Sequence, residues 1–89
     1  MEEEVRALLE ADRCDDAIAL LDSFRGEGGE MDDTLFYLLG NAWRKKGNWK
    51  MAMDNYLEAI AINPESPARQ ALEIANDILA FFNKDMYNQ

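Results

Sequence analysis

The sequence predicts an all-α protein of about five antiparallel helices and no strand, and three observations carry that expectation. Apolar residues recur at three- and four-residue spacing along nearly the whole chain, which is the period of a helix that buries one face. Short polar breaks holding Gly, Asn, Asp or Pro interrupt this period. A length of 89 residues allows one small domain, able to bury little more than half of the surface its unfolded chain exposes.

The elements follow in order. Val5, Leu8 and Leu9, then Ala17, Ile18, Leu20, Leu21 and Phe24, form two short amphipathic stretches on either side of the polar "ADRCDD". "RGEGGEMDD" at 25–33 is a loop, because its three glycines cannot continue a helix, and Asp32 or Asp33 can cap the next one. A third helix is expected from about 34 to 46, stopping at Gly47 and Asn48, and a fourth from about 49 to 62. Asn63-Pro64 ends the fourth, since the residue before proline avoids the α region. Ser66-Pro67 starts a fifth, with serine as cap and proline at the first helical position, running to about Asn83.

Composition excludes several functions. The chain has no His, one Cys and two Pro, which removes the commonest general base, most zinc sites and any internal disulfide. No activated nucleophile and no phosphate-binding loop is present, so an enzyme is not expected, and neither is a cofactor. The carboxylates of "EEE" and "DD" lack the Asp-x-Asp-x-Asn-Gly spacing that holds calcium. Residues 1–33 carry twelve Asp and Glu against Arg6, Arg13 and Arg25, whereas 34–89 are balanced, so the whole net charge of −9 sits in the first third. That excess repels phosphate backbones and anionic lipid, so neither nucleic acid nor membrane is an expected partner. "MEEEV" is acidic where a signal peptide is basic and then apolar, and no run of about 18 apolar residues exists, so a cytoplasmic protein is expected.

The third and fourth helices must pair. Phe36, Leu39, Gly40 and Trp43 form one apolar stripe, Ala52, Tyr56, Ala59 and Ile60 the other, and a two-residue turn folds them face to face. A mid-helix glycine costs up to about 1 kcal/mol against alanine, so Gly40 is best tolerated where close approach lets a bulky side chain cross it. Gly40 and Ala52 are the small residues of this crossing, Trp43 and Tyr56 the large ones.

With these residues the sequence resembles a tetratricopeptide repeat, a helix-turn-helix unit of about 34 residues. Its signature is met by Phe36, Leu39, Gly40, Trp43, Gly47, Trp49, Ala52, Tyr56, Ala59 and Pro64. The resemblance implies a single tetratricopeptide-like α-α superhelix over 1–89, with a degenerate repeat at 1–31, the well-matched repeat at 33–66, a capping helix at 67–83 and a tail at 84–89. Aligning Ala17 with Ala52 sets Asp12 at the turn glycine, Cys14 at Trp49, Leu21 at Tyr56 and Phe24 at Ala59.

The resemblance also implies a concave groove that takes a peptide or helix of a partner protein. On the third helix Thr34, Tyr37, Leu38, Asn41, Arg44 and Lys45 lie between the core places and face that groove. Asn41 stands where members that grip a C-terminal carboxylate keep an asparagine. Tyr37 replaces the lysine of that clamp, and Ala71 and Ala75 stand at places that would be polar, so the rest of it is missing. Arg44, Lys45, Lys46 and Lys50 form the basic patch of the chain. It reads first as a last helix turn favoured by the macrodipole, by about 0.3–1 kcal/mol, and second as a contact for acidic partner residues. The function expected is that of a small adaptor or scaffold in protein–protein interaction. The alternative is an oligomerisation module, a homodimer through 78–87, where Phe81, Phe82, Met86 and Tyr87 would form the seam.

Overall fold

A computed structural model of the chain describes residues 1–87, and the side chains of residues 1–81. Among these residues there are five helices and no strand: α1 Glu2–Glu10, α2 Cys14–Gly26, α3 Asp33–Lys45, α4 Trp49–Ile62 and α5 Ala68–Tyr87. Each neighbouring pair in sequence packs together, and α1 also touches α3.

The boundaries have local causes. Asp32 caps α3, its Oδ1 accepting from the Leu35 amide at 2.8 Å. Asn48 caps α4 in the same way, accepting from Met51 N at 3.1 Å. At the end of α4, Asn63 is extended, and its Nδ2 donates to Asp33 Oδ2 at 3.0 Å, tying the end of α4 to the start of α3. Ser66 Oγ accepts from Ala68 N at 3.1 Å and opens α5. The last helix runs to Tyr87 rather than ending near Asn83, so the segment 84–87 is helical backbone and not tail. Nothing between Asn83 and Tyr87 is a Gly or Pro that would break it.

The turns α1–α2 and α3–α4 are copies of one another, 35 positions apart. Gly47 has φ +83°, and its N–H donates to Arg44 O while Asn48 N–H donates to Trp43 O. Asp12, at φ +60°, is the non-glycine residue with positive φ among the described residues, and Asp12 N–H donates to Leu9 O while Arg13 N–H donates to Leu8 O. Both patterns are helix ends closed by a left-handed residue, a place that suits glycine and that Asp tolerates better than most. Arg13 offers no acceptor where Asn48 caps, so α2 starts without a side-chain cap.

Two clusters make the core, and α3 is the wall between them. Leu35, Leu38, Leu39 and Ala42 face α1 and α2, packing with Val5, Leu9, Cys14, Ala17, Ile18 and Leu21. Phe36 faces the other way, into Ala52, Tyr56 and Ala59 of α4 and Ala68 of α5. Trp43, half-buried, packs against both clusters. Gly40 is buried under the Tyr56 ring: a Cβ there would lie 2.5 Å from Tyr56 Cε1 and 3.1 Å from the Ala52 carbonyl oxygen. The expected close crossing of α3 and α4 is therefore present. Ala71 and Leu72 pack α5 on the second cluster, with Ala68 and Ala75 fully buried. Ile74 and Phe81 stand exposed on α5. Of the proposed seam over 78–87, the side chains of Phe82, Met86 and Tyr87 lie outside the described residues.

Candidate partner-binding groove

The contact of α1 with α3 creates a cleft of about 170 Å³. Arg6, Leu9 and Glu10 line it from α1, and Leu38, Asn41, Arg44 and Lys45 from α3. Both sets follow from helical spacing, since residues three and four apart share a face. Leu9 and Leu38, nearly fully buried, form an apolar floor, so Leu38 is the bottom of the groove rather than an open contact.

The polar rim is held by specific bonds. Tyr56, fully buried, donates its hydroxyl to Asn41 Oδ1 at 2.6 Å. Burial pushes the Tyr56 phenol above its usual pKa, the Arg44 charge draws it down and Tyr37 adds to the rise, so the phenol stays protonated and acts as the donor. Tyr56 thereby occupies one of the two lone pairs of the Asn41 oxygen and fixes the orientation of its amide. Lys45 Nζ donates to the Leu9 carbonyl at 3.1 Å, a second donor beside the Asp12 amide at the end of α1.

The basic patch does not act as one surface. Lys46 pairs with Asp15 of α2 and stands 5.5 Å over the Trp43 ring. Lys50 pairs with Asp54 along its own helix at 2.9 Å. Only Arg44 and Lys45 of the four line the cleft.

The residues expected in the groove divide in three. Asn41, Arg44 and Lys45 come together on the cleft. Tyr37 is half-buried, packs against both core clusters and sits 6.1 Å from the Tyr56 ring at 37°, so it belongs to the packing around Tyr56 and not to the cleft lining. Thr34 lies half-buried in the first turn of α3, one turn before Leu38, and is not among the residues lining the cleft. The opposite wall, Arg6 and Glu10, was not expected. The 35-residue register that places Asp12 on Gly47 also places Arg6 on Asn41 and Glu10 on Lys45, and that signal could have found them.

Paired helices repeated at one register and a cleft between first helices define a helical-repeat protein of the kind that binds other proteins. The model of the tetratricopeptide repeat matches residues 34–66. A solution NMR structure of the Bacteroides fragilis protein BF1650 superposes with a TM-score of 0.83 at 42% identity, over 100% of this chain and 90% of that one. No curated protein matches. Residues 34–66 are thus a tetratricopeptide repeat, a repeat type that suggests protein interaction. Among the described residues no helix is long and apolar enough to cross a membrane.

Proposed function

We propose that this chain is a non-enzymatic interaction module that takes an extended peptide or a helix of a partner protein into its concave groove, as a small cytoplasmic adaptor or scaffold. The observation that carries this reading is the α1–α3 cleft, an apolar floor of Leu9 and Leu38 under a polar rim that includes Asn41, Arg44 and Lys45. A few oriented polar groups over an apolar base is the usual make-up of a recognition site. The core residues of both repeats hold the two walls in register.

The test is a cross-linking pull-down from the native cell, with Arg6→Ala plus Arg44→Ala as the groove variant. Both side chains are on the rim, so the variant keeps the helical content and melting of the parent while losing the partner. Equal recovery of every partner by parent and variant overturns the groove. Tyr37→Ala plus Asn41→Ala is a poor substitute, because it strips the partner of a buried hydroxyl.

Pairing of two copies through α5 is the second reading, supported by Ile74 and Phe81, which are 46% and 71% exposed on that helix. Sedimentation at several concentrations decides it: a mass that stays at one chain removes the pairing.

A further inference from the structure

We propose that a second cleft, between the α2–α3 loop and the end of α4, holds one lysine or arginine side chain of a partner protein. This contact lies outside the α1–α3 groove and does not depend on it.

The cleft, of about 560 Å³, is lined by Glu30, Met31 and Asp32 of the loop and by Ile62, the last residue of α4. Ile62 is 51% exposed and Met31 half-buried, so apolar surface lies beside two carboxylates. A lysine or arginine has the matching build, an aliphatic stem that packs on apolar surface below a charged head. Asp32 gives Oδ1 to the Leu35 amide and stands at the positive end of α3, which offsets part of its charge. Glu30 makes no ion pair among the described residues and supplies the larger part of the attraction.

The end of α4 adds an independent demand for a cation. The last carbonyls of a helix have no donor inside it. Here the following residues do not supply one: Pro64 has no N–H for Ile60 O, the Glu65 amide donates to Asn63 Oδ1 at 3.1 Å, and the Ser66 amide donates to Asn63 O at 3.0 Å. The three earlier helices each receive a cation at this negative end. Arg25 stands in the last turn of α2, Arg44 and Lys45 in that of α3, and α1, which has none of its own, is given Lys45 at the Leu9 carbonyl. The last turn of α4 carries no basic residue, and Arg69 Nη1 reaches the Pro64 carbonyl at 3.5 Å, beyond the helix. The cation for α4 is left for a partner to supply.

The surroundings favour the same occupant. Arg25, the cation nearest to the loop in sequence, stands 5.3 Å over the Phe36 ring and is not among the residues lining the cleft. Residues 1–33 hold the whole net charge of −9, and their field draws a basic segment toward this loop. An acidic side chain would meet Glu30, and a neutral apolar one would leave the carboxylates and the helix end without a counter-charge.

The experiment uses the full chain, ¹⁵N-labelled, and decapeptides acetylated and amidated at their ends, with Arg, Lys, Gln or Glu at one central position and flanks of Gly, Ala and Ser. Occupancy of the cleft is read from shifts of the Met31 and Ile62 amides. The Arg and Lys peptides are expected to bind there about tenfold more tightly than the Gln peptide, the size of one charge-assisted hydrogen bond. Glu30→Gln should remove most of that preference. Ile62→Lys, which gives the end of α4 a cation of its own, should abolish it; both residues are exposed, so the variants keep the helical content of the parent. High salt should weaken the preference. Equal affinity of the Gln peptide at Met31 and Ile62 would overturn the inference, as would the absence of any shift at those two amides. An Arg peptide that shifts the acidic first turns of α1 and α2 as strongly as the cleft would overturn it too, in favour of attraction to net charge alone. The amides of Leu38 and Asn41 report the groove separately, so either reading can fall without the other.

Discussion

The Tyr56 ring lies across Gly40, so close that a Cβ on residue 40 would sit 2.5 Å from Cε1. The α1–α2 pair solves the same problem differently. Thirty-five residues earlier Val5 and Leu21, both fully buried in one cluster, hold the places of Gly40 and Tyr56. Volume has moved from one helix to the other while the interior stays filled, as a densely packed core requires.

Gly40→Ala should therefore destabilise despite the better helix propensity of alanine. Overpacking costs about 1–3 kcal/mol against a propensity gain of about 1 kcal/mol, and the Ala52 carbonyl on the far side leaves little room to yield. Denaturant midpoints measure this. Gly40→Val combined with Tyr56→Leu, which copies the first repeat, should recover part of the loss. A double mutant as unstable as the sum of the singles would show that the two positions do not share space.

The twin turns give a second prediction. Asp12 holds φ +60° where its counterpart is Gly47 at φ +83°. Asp12→Gly should raise stability by up to about 1 kcal/mol, and Gly47→Ala should lower it by about 1 kcal/mol. Thermal melts of both variants suffice, and a stabilising Gly47→Ala would contradict the left-handed turn.

Tyr56 predicts a pH dependence. Its folded-state pKa is raised above 10.0, chiefly by burial. The unfolded chain then loses this proton first as pH rises, so the stabilisation is complete below pH 10 and is lost as pH climbs through the folded-state value. Tyr56→Phe should remove that part of the alkaline loss, while costing about 1 kcal/mol at neutral pH for the bond to Asn41. Melting profiles of parent and variant through the alkaline range make the comparison.

Lys45→Met predicts loosening of α1. The methionine keeps the stem and removes the donor to the Leu9 carbonyl, at a cost of about 1 kcal/mol or less for a partly exposed bond. Amide exchange should quicken in α1 and not in α4. A uniform change along the chain would mean that the bond does not anchor that helix.

The helices were legible in the sequence, and most of their ends, because their causes are local; α2 runs on to Gly26 inside the expected loop and α5 runs past Asn83 to Tyr87. Asp32, Asn48 and Ser66 cap from a few residues away, Pro64 stops α4, and Gly47 closes a turn by its own backbone freedom. The crossing at Gly40 was also legible, since a glycine inside an amphipathic stripe has a reason only when something large lies over it. Asp12 was legible only through the 35-residue register that sets it at the turn glycine, because an aspartate at a left-handed position leaves no mark in composition.

What the chain by itself determined is therefore the set of helices, their antiparallel pairing and the α3 face that turns inward. The tertiary structure decided which of the α3 residues line the cleft. Asn41 is turned by a hydroxyl 15 residues away, Lys45 is drawn to a carbonyl 36 residues away, and Arg6 and Glu10 become a wall only when α1 docks on α3. Helix formation is a matter of neighbours within one or two turns, whereas a cleft exists only between surfaces that packing has brought together.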